Sequence, residues 1–258
     1  MPKAFHILFK FAVAHATAFF LCGQELPRCT YLKDKVEVVR IIDDSSPPSI
    51  FNLESNQSVE HGDLIATAES SRVECLLPMS TWRLGSLTVG KWTDNYSFWI
   101  HSGSILFCTE ESQVIHFSSR EANATFEGSG TLIIEALENG GFKIIPLEVK
   151  GTITTAKGGT KELQSARLLL VLGSPSYFGD AYDIDLMLML KSSRLINAYP
   201  TPLPTMGRIG LSVYKQDLKL RGKYNALIGD APTNDKIDIW ALSDDNNDGL
   251  DVESLLQK

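Results

Sequence analysis

The chain has 258 residues, of which 43% are hydrophobic and 21% are charged, a composition that argues against disorder and allows one large or two small folded domains. Its formal net charge is −7, and no block of Lys or Arg is present to hold a phosphate backbone. We therefore expect a folded protein that does not bind nucleic acid.

The first 24 residues have the features of a signal peptide. Lys3 and Lys10 are their only Lys or Arg residues, and the apolar run at 11–21 is too short for a bilayer core that needs about 20 residues. We expect cleavage after Ala18 or after Gln24, which makes the mature protein periplasmic or secreted and not membrane-spanning. A buried N-terminal helix of a cytosolic protein, or a lipid-modified Cys22, is the alternative.

If cleavage follows Gln24, the mature chain keeps three cysteines, Cys29, Cys75 and Cys108. Cys75 and Cys108 lie within strand-like runs, where a free cysteine behaves as a small buried hydrophobe. We expect burial without bonding, and a Cys75–Cys108 bridge is the alternative. The spacing of the cysteines excludes a CxxC metal or redox site.

Residues 25–57 are predicted to be a lead strand and linker, because alternation at 36–42 is followed by a Pro/Ser-rich segment. Between 58 and 150, short β-branched and aromatic runs recur every 8 to 12 residues or so, which is typical of an all-β, mainly antiparallel sandwich or roll. Asn139-Gly140-Gly141 predicts a hairpin turn between arms at 132–137 and 142–149.

Residues 151–243 are predicted to be a C-terminal β-rich extension. It begins with a hairpin around Lys157-Gly158-Gly159 and continues with a buried strand at 167–172. One helix is expected near 183–197, capped by Asp180 or Asp183, although strand spacing is also present there. Further strands are expected at 209–214 and 237–242, before an acidic tail at 244–258.

The stretch 59–77, VEHGDLIATAESSRVECLL, resembles the opening of the FecR domain. The matching positions are Val59, Gly62, Asp63, Leu64, Ile65, Thr67, Ser70-Ser71 and 73–77, followed by Thr81-Trp82-Arg83-Leu84 and by His101-Ser102-Gly103-Ser104-Ile105. Residues 124–155 resemble the closing section of that domain, without its Thr-Pro…Gly-Val-Arg-Gly-Thr type of run.

The resemblance implies a periplasmic module that senses a partner receptor and regulates a sigma factor. Signalling members carry a cytoplasmic sigma-binding region before a membrane span, whereas about ten residues precede the apolar run here. We therefore expect a free-standing periplasmic binding or scaffold module. We expect Gly62 and Asp63 to form a turn, and we do not expect Asp63 to be catalytic.

No catalytic residues, metal ligands or cofactor are predicted. The five histidines, His6, His15, His61, His101 and His116, show no metal-site spacing, and no nucleophile elbow, P-loop or dinucleotide motif is present. Asp244 to Gly249 match the start of a calcium loop, but Val252 and Leu255 stand where later ligands belong, so a solvated acidic tail is expected.

These features predict an exported, non-enzymatic envelope protein that contacts a protein or a glycan. An aromatic cluster, Trp82, Trp92, Tyr96, Phe98 and Trp99, is a candidate binding surface, although core packing is its more frequent fate. One alternative is an envelope carbohydrate-active enzyme, which would need two facing carboxylates about 5 to 10 Å apart. Another is a membrane-anchored signalling regulator.

Overall fold

The computed structural model describes residues 26–42, 47–220, 226–230 and 237–241. Most of them lie in β-strands, which confirms the predicted all-β class. The strands are β1 (Arg28–Lys33), β2 (Val36–Arg40), β3 (Ser49–Asn52), β4 (Leu64–Thr67), β5 (Arg72–Leu77), β6 (Ser80–Leu84), β7 (Val89–Asp94), β8 (Ser97–Ser102), β9 (Ser104–Ser118), β10 (Asn123–Ala136), β11 (Phe142–Thr155), β12 (Gly159–Glu162), β13 (Arg167–Leu172), β14 (Tyr177–Asp183), β15 (Ala226–Asp230) and β16 (Ile237–Ala241). The helices are α1 (Leu186–Ser192), α2 (Arg194–Asn197) and α3 (Met206–Leu220).

The first fourteen strands form one sheet that branches at β9. One long edge of β9 pairs with β10, whereas its other edge has two neighbours. Residues 105–109 of β9 pair with β6, which leads to β5 and β1, and residues 116–118 run parallel to β8, which leads to β7, β4, β2 and β3. Both branches contribute to one hydrophobic cluster, here called the first core, so they pack together as layers of a sandwich.

Aromatic rings fill the first core. The Trp82 ring centroid lies 4.9 Å from that of Phe107 and 5.4 Å from that of Phe98. Trp82, Trp92 and Phe98 are almost fully buried, whereas Tyr96 is exposed and Trp99 is half-buried. Core packing is therefore the fate of the three buried members, and they cannot form a binding surface.

A second core lies on the opposite face of the same strands, under the helices. Along β9, Ile105 and Phe107 enter the first core, while Leu106 and Cys108 enter the second. Burial on both faces explains the uninterrupted apolar runs of β9, β10, β11 and β13. Cys29, Cys75 and Cys108 are buried free thiols in this structure, as the sequence predicts. The alternative of a Cys75–Cys108 bridge is wrong, because Cys75 lies in the first core and Cys108 in the second.

Two sequence expectations about helices need correction. The helix near 183–197 is confirmed as α1 and α2, but its cap is Asp185, whose side chain accepts from the backbone N–H of Leu188, because β14 continues to Asp183. The strand expected at 209–214 is wrong, since those residues lie in α3. Apolar residues there alternate as in a strand, and glycines lower the helix propensity.

Other predicted elements form as expected, but β1, β3, β14 and β15 lie where no strand was predicted. Both glycine hairpins form, between β10 and β11 and between β11 and β12. β11 runs without a break through the boundary predicted at residue 150, and the lead strand β2 pairs with β3 and β4 of the main sheet. The predicted signal peptide at 1–24 and the acidic tail at 244–258 lie outside the described residues.

A close approach between β10 and β11 requires glycine. Gly128 lies opposite Gly151, with a φ of +151°, and the pairing of β10 with β9 shifts register just after it. A Cβ atom on Gly128 would lie 2.3 Å from the carbonyl oxygen of Lys150. A bulge at this point bends the strand.

We expect Gly128→Ala to lower the free energy of unfolding by about 2–4 kcal/mol, because the methyl group would collide with the neighbouring backbone. Gly210→Ala is the matched control, since a Cβ there meets nothing within 4 Å. In helix α3 that change should be neutral or stabilising by up to about 1 kcal/mol. Urea denaturation measures both variants, and equal stabilities would contradict the assignment.

Candidate binding surface on helix α3

Helix α3 carries two apolar stripes on opposite sides. Met206, Ile209 and Val213 pack against the second core. Leu211, Tyr214 and Leu218 point away from it and are 51%, 61% and 58% exposed. Because an α-helix has 3.6 residues per turn, Leu211, Tyr214 and Leu218 share one face of α3, here called the outer stripe. A surface helix normally needs one apolar stripe, so the outer stripe has no partner within the described part of the chain.

Buried polar contacts fix α3 in place. At its start, the Thr205 hydroxyl lies 2.5 Å from that of Thr131 and 3.5 Å from the Cys108 sulfur. Further along, the Gln216 amide accepts a hydrogen bond from the backbone N–H of Leu186 at 3.0 Å and donates one to the carbonyl of Ile184. These side chains reach β9, β10 and the start of α1, so the helix cannot rotate to bury its outer stripe.

The segment before α3 is held by Arg83 of β6. Its guanidinium donates to the carbonyl oxygens of Leu195 and Ile196, both at 3.0 Å, and to that of Thr201. It also forms an ion pair with Glu74 at 2.9 Å and lies 4.3 Å from the centre of the Tyr199 ring. The carbonyls at the end of a helix lack partners within it, and here the arginine supplies them for α2.

A row of basic residues flanks the outer stripe. Arg208, Lys215 and Lys219 line a cleft of about 320 Å³ between α3 and the sheet. Glu148 of β11 forms its floor, and its Oε1 accepts hydrogen bonds from Arg208 at 3.1 and 3.2 Å. Burial raises the pKa of the Glu148 carboxyl, an effect that Arg208 offsets only in part. The three basic side chains of the cleft outnumber its two carboxylates, Glu148 and Asp183, so the flank is weakly positive in a chain that is negative overall.

The same cleft holds a second carboxylate, Asp183, which lies 3.7 Å from Arg167. On the other flank of α3, Tyr214 and Met187 border a groove of about 440 Å³. The α3 surface thus consists of an exposed apolar stripe between a basic cleft and a second groove. Such an arrangement suits a partner with an apolar segment and nearby acidic groups.

The Gly62-Asp63 step forms the turn that the sequence predicts. Gly62 has a φ of +91°, and Oδ2 of Asp63 accepts the backbone N–H of Glu60 at 3.0 Å. Arg40 donates two further hydrogen bonds to the same carboxylate, at 2.9 and 2.6 Å. These hydrogen bonds hold the Asp63 carboxylate in the turn.

The three described histidines, His61, His101 and His116, do not converge on a site. His101 and His116 are exposed on β8 and β9, and Nδ1 of His116 lies 2.9 Å from the Thr125 hydroxyl. Among the residues described, no three His, Cys, Asp or Glu side chains lie close enough to hold a metal ion. In that same part of the chain, no helix is both long and apolar enough to cross a bilayer.

The α3 surface was not predicted from the sequence, because residues 209–214 were expected to form a strand and no helical face was considered. The signal was available in the spacing of Leu211, Tyr214 and Leu218, which repeats at helical intervals beside the inward stripe. The contacts of Arg83 with the helical segment could not be predicted, since those acceptors lie more than a hundred residues further along the chain.

No protein-family model, no curated protein and no solved structure matches the chain. The resemblance to the FecR domain therefore stays a prediction.

The raised pKa of Glu148 makes a prediction about pH. The folded state holds this proton more tightly than the unfolded chain, whose glutamate pKa is about 4.3. That stabilisation is fully present below the unfolded pKa and is lost as the pH rises through the folded one. We expect wild type to lose stability relative to Glu148→Gln between pH 4 and pH 7, as measured by urea denaturation. A difference that stays constant or moves the other way would contradict the raised pKa.

Proposed function

We propose that the chain is an exported, non-enzymatic envelope protein that binds a partner protein through the α3 surface. The observation that carries the proposal is the outer stripe, in which three large apolar side chains are more than half exposed on a helix fixed by buried contacts. The signal-peptide pattern of residues 1–24 and the FecR-like stretch support the envelope location.

Charge favours a partner with acidic groups. Arg208, Lys215 and Lys219 lie beside the outer stripe, so carboxylates at the rim of an apolar partner segment would meet them. Burying an apolar side chain of this size contributes about 1.5–3 kcal/mol. The stripe would therefore supply affinity, and the basic row would orient the partner.

A protein partner is favoured over a glycan, because three of the five members of the aromatic cluster, Trp82, Trp92 and Phe98, lie in the first core and offer no ring face to a sugar. A binding role is favoured over catalysis because the carboxylates near α3 are already engaged. Both carboxylates of the basic cleft, Glu148 and Asp183, are ion-paired with arginines.

The test compares capture of partners from the native envelope by the tagged full chain and by its variant Leu211→Ser/Tyr214→Ser/Leu218→Ser. Because hot-spot residues carry most binding energy, we expect recovery of the partner to fall at least about tenfold. The thermal midpoint should hardly change, since the altered side chains are exposed. N-terminal sequencing of the captured chain should find its first residue at 19 or 25.

The matched control is Ile50→Ser/Leu76→Ser/Val114→Ser, which removes three exposed apolar side chains outside α3. It should capture the partner as wild type does. Equal capture by both triple variants would contradict the proposal. Light scattering on the purified protein tests whether the outer stripe instead pairs two copies of this chain, and a dimer that the stripe variant abolishes, with no other partner captured, would also contradict it.

A further inference from the structure

Two cysteines face each other across strands β1 and β5. Cys29 and Cys75 are direct partners in the antiparallel register. The backbone N–H of Cys29 donates to the carbonyl of Gln57 at 2.9 Å, and its carbonyl accepts from Asn56 at 2.8 Å. Since both backbone groups of Cys29 point away from β5, Cys29 and Cys75 form a pair without ladder hydrogen bonds between them.

Pairs of this kind are the closest in an antiparallel sheet, with Cα atoms about 4.5 Å apart and side chains on the same face. A disulfide needs Cα atoms roughly 4.4–6.8 Å apart. Both side chains enter the first core and are 0% exposed. We propose that Cys29 and Cys75 are the site of a cross-strand disulfide that ties β1 to the sheet.

The position of β1 gives this bond a structural effect. Among the described strands β1 pairs with β5 alone, and on its other side it contacts the segment at 56–58. Its register also shifts after Cys29, where the Thr30 hydroxyl donates to the carboxylate of Glu74 at 3.0 Å. A covalent link at Cys29 would hold this irregular edge strand, together with Glu74, in place.

The oxidation is an exchange with a disulfide-bearing oxidant, such as glutathione disulfide or a protein dithiol oxidase. The two S–H bonds of Cys29 and Cys75 are replaced by one S–S bond. The two electrons and two protons reduce the disulfide of the oxidant to two thiols. This inference is independent of the α3 surface, because β1 and β5 lie outside that surface.

Burial decides when the bond can form. It raises the pKa of Cys29 to about 11 and holds the pKa of Cys75 well above its ordinary value. Thiolate is the reacting species, so the folded dithiol protein should react slowly. The bond would form while β1 docks during folding, and reductants would then reach it poorly.

The test refolds the full chain from denaturant in a mixture of oxidised and reduced glutathione, blocks free thiols under denaturing conditions, and digests with trypsin without reduction. The chain contains four cysteines, each in its own tryptic peptide. We expect mass spectrometry to find CTYLK (29–33) linked to VECLLPMSTWR (73–83), with Cys22 and Cys108 alkylated. Alkylation of Cys29 and Cys75 in the folded protein, or a link to another cysteine, would overturn the proposal.

A thermal measurement gives a second readout. The bridged wild type should unfold on the order of 10 °C above its reduced form, because the bond closes a long loop. Cys75→Ala should show no such difference between protein refolded in oxidising and in reducing buffer, whereas the matched variant Cys108→Ala should retain it. Loss of the difference in Cys108→Ala, or its persistence in Cys75→Ala, would assign the bond to other cysteines and overturn the proposal.

Discussion

The buried guanidinium of Arg83 is the interaction on which the arrangement of the helices depends. A charge removed from water costs several kcal/mol unless its partners are complete. Here Glu74 neutralises it, and three carbonyl oxygens and the face of Tyr199 surround it. Removing the arginine would leave Glu74 buried without its counter-charge, which typically destabilises a protein by about 3–5 kcal/mol.

Arg83 can play this part because β6 lies between the two cores. Trp82 and Leu84 point into the first core, so the residue between them points toward the helices. The hydroxyl of Tyr199 donates to the carbonyl of Leu84 at 3.0 Å, which adds a second contact from the same segment. The aromatic core of the sandwich and the polar attachment of the helical layer are thus set by neighbouring residues of one short strand.

The sequence was informative where the structure depends on local patterns. Alternation and glycine turns predicted most of the strands and both glycine hairpins, and the Gly62-Asp63 turn forms as expected. Prediction failed where contacts between residues far apart in the chain determine the structure. The run at 209–214 is helical because its inward residues meet the second core, and Cys75 faces Cys29 and not Cys108 because alternate residues of the sheet serve different cores. The α3 surface follows from both causes, since it needs the helix and the anchors that orient it.

Hydrogen exchange of wild type and Arg83→Met, followed by mass spectrometry of peptides, tests the role of Arg83 most directly. If Arg83 docks the helical layer, the amides of 186–219 will lose protection, while those of β7 and β8 at 89–102 will keep theirs. Unchanged protection in the helices, or an equal loss in both regions, would contradict the view that this one side chain holds the helical layer to the sheet.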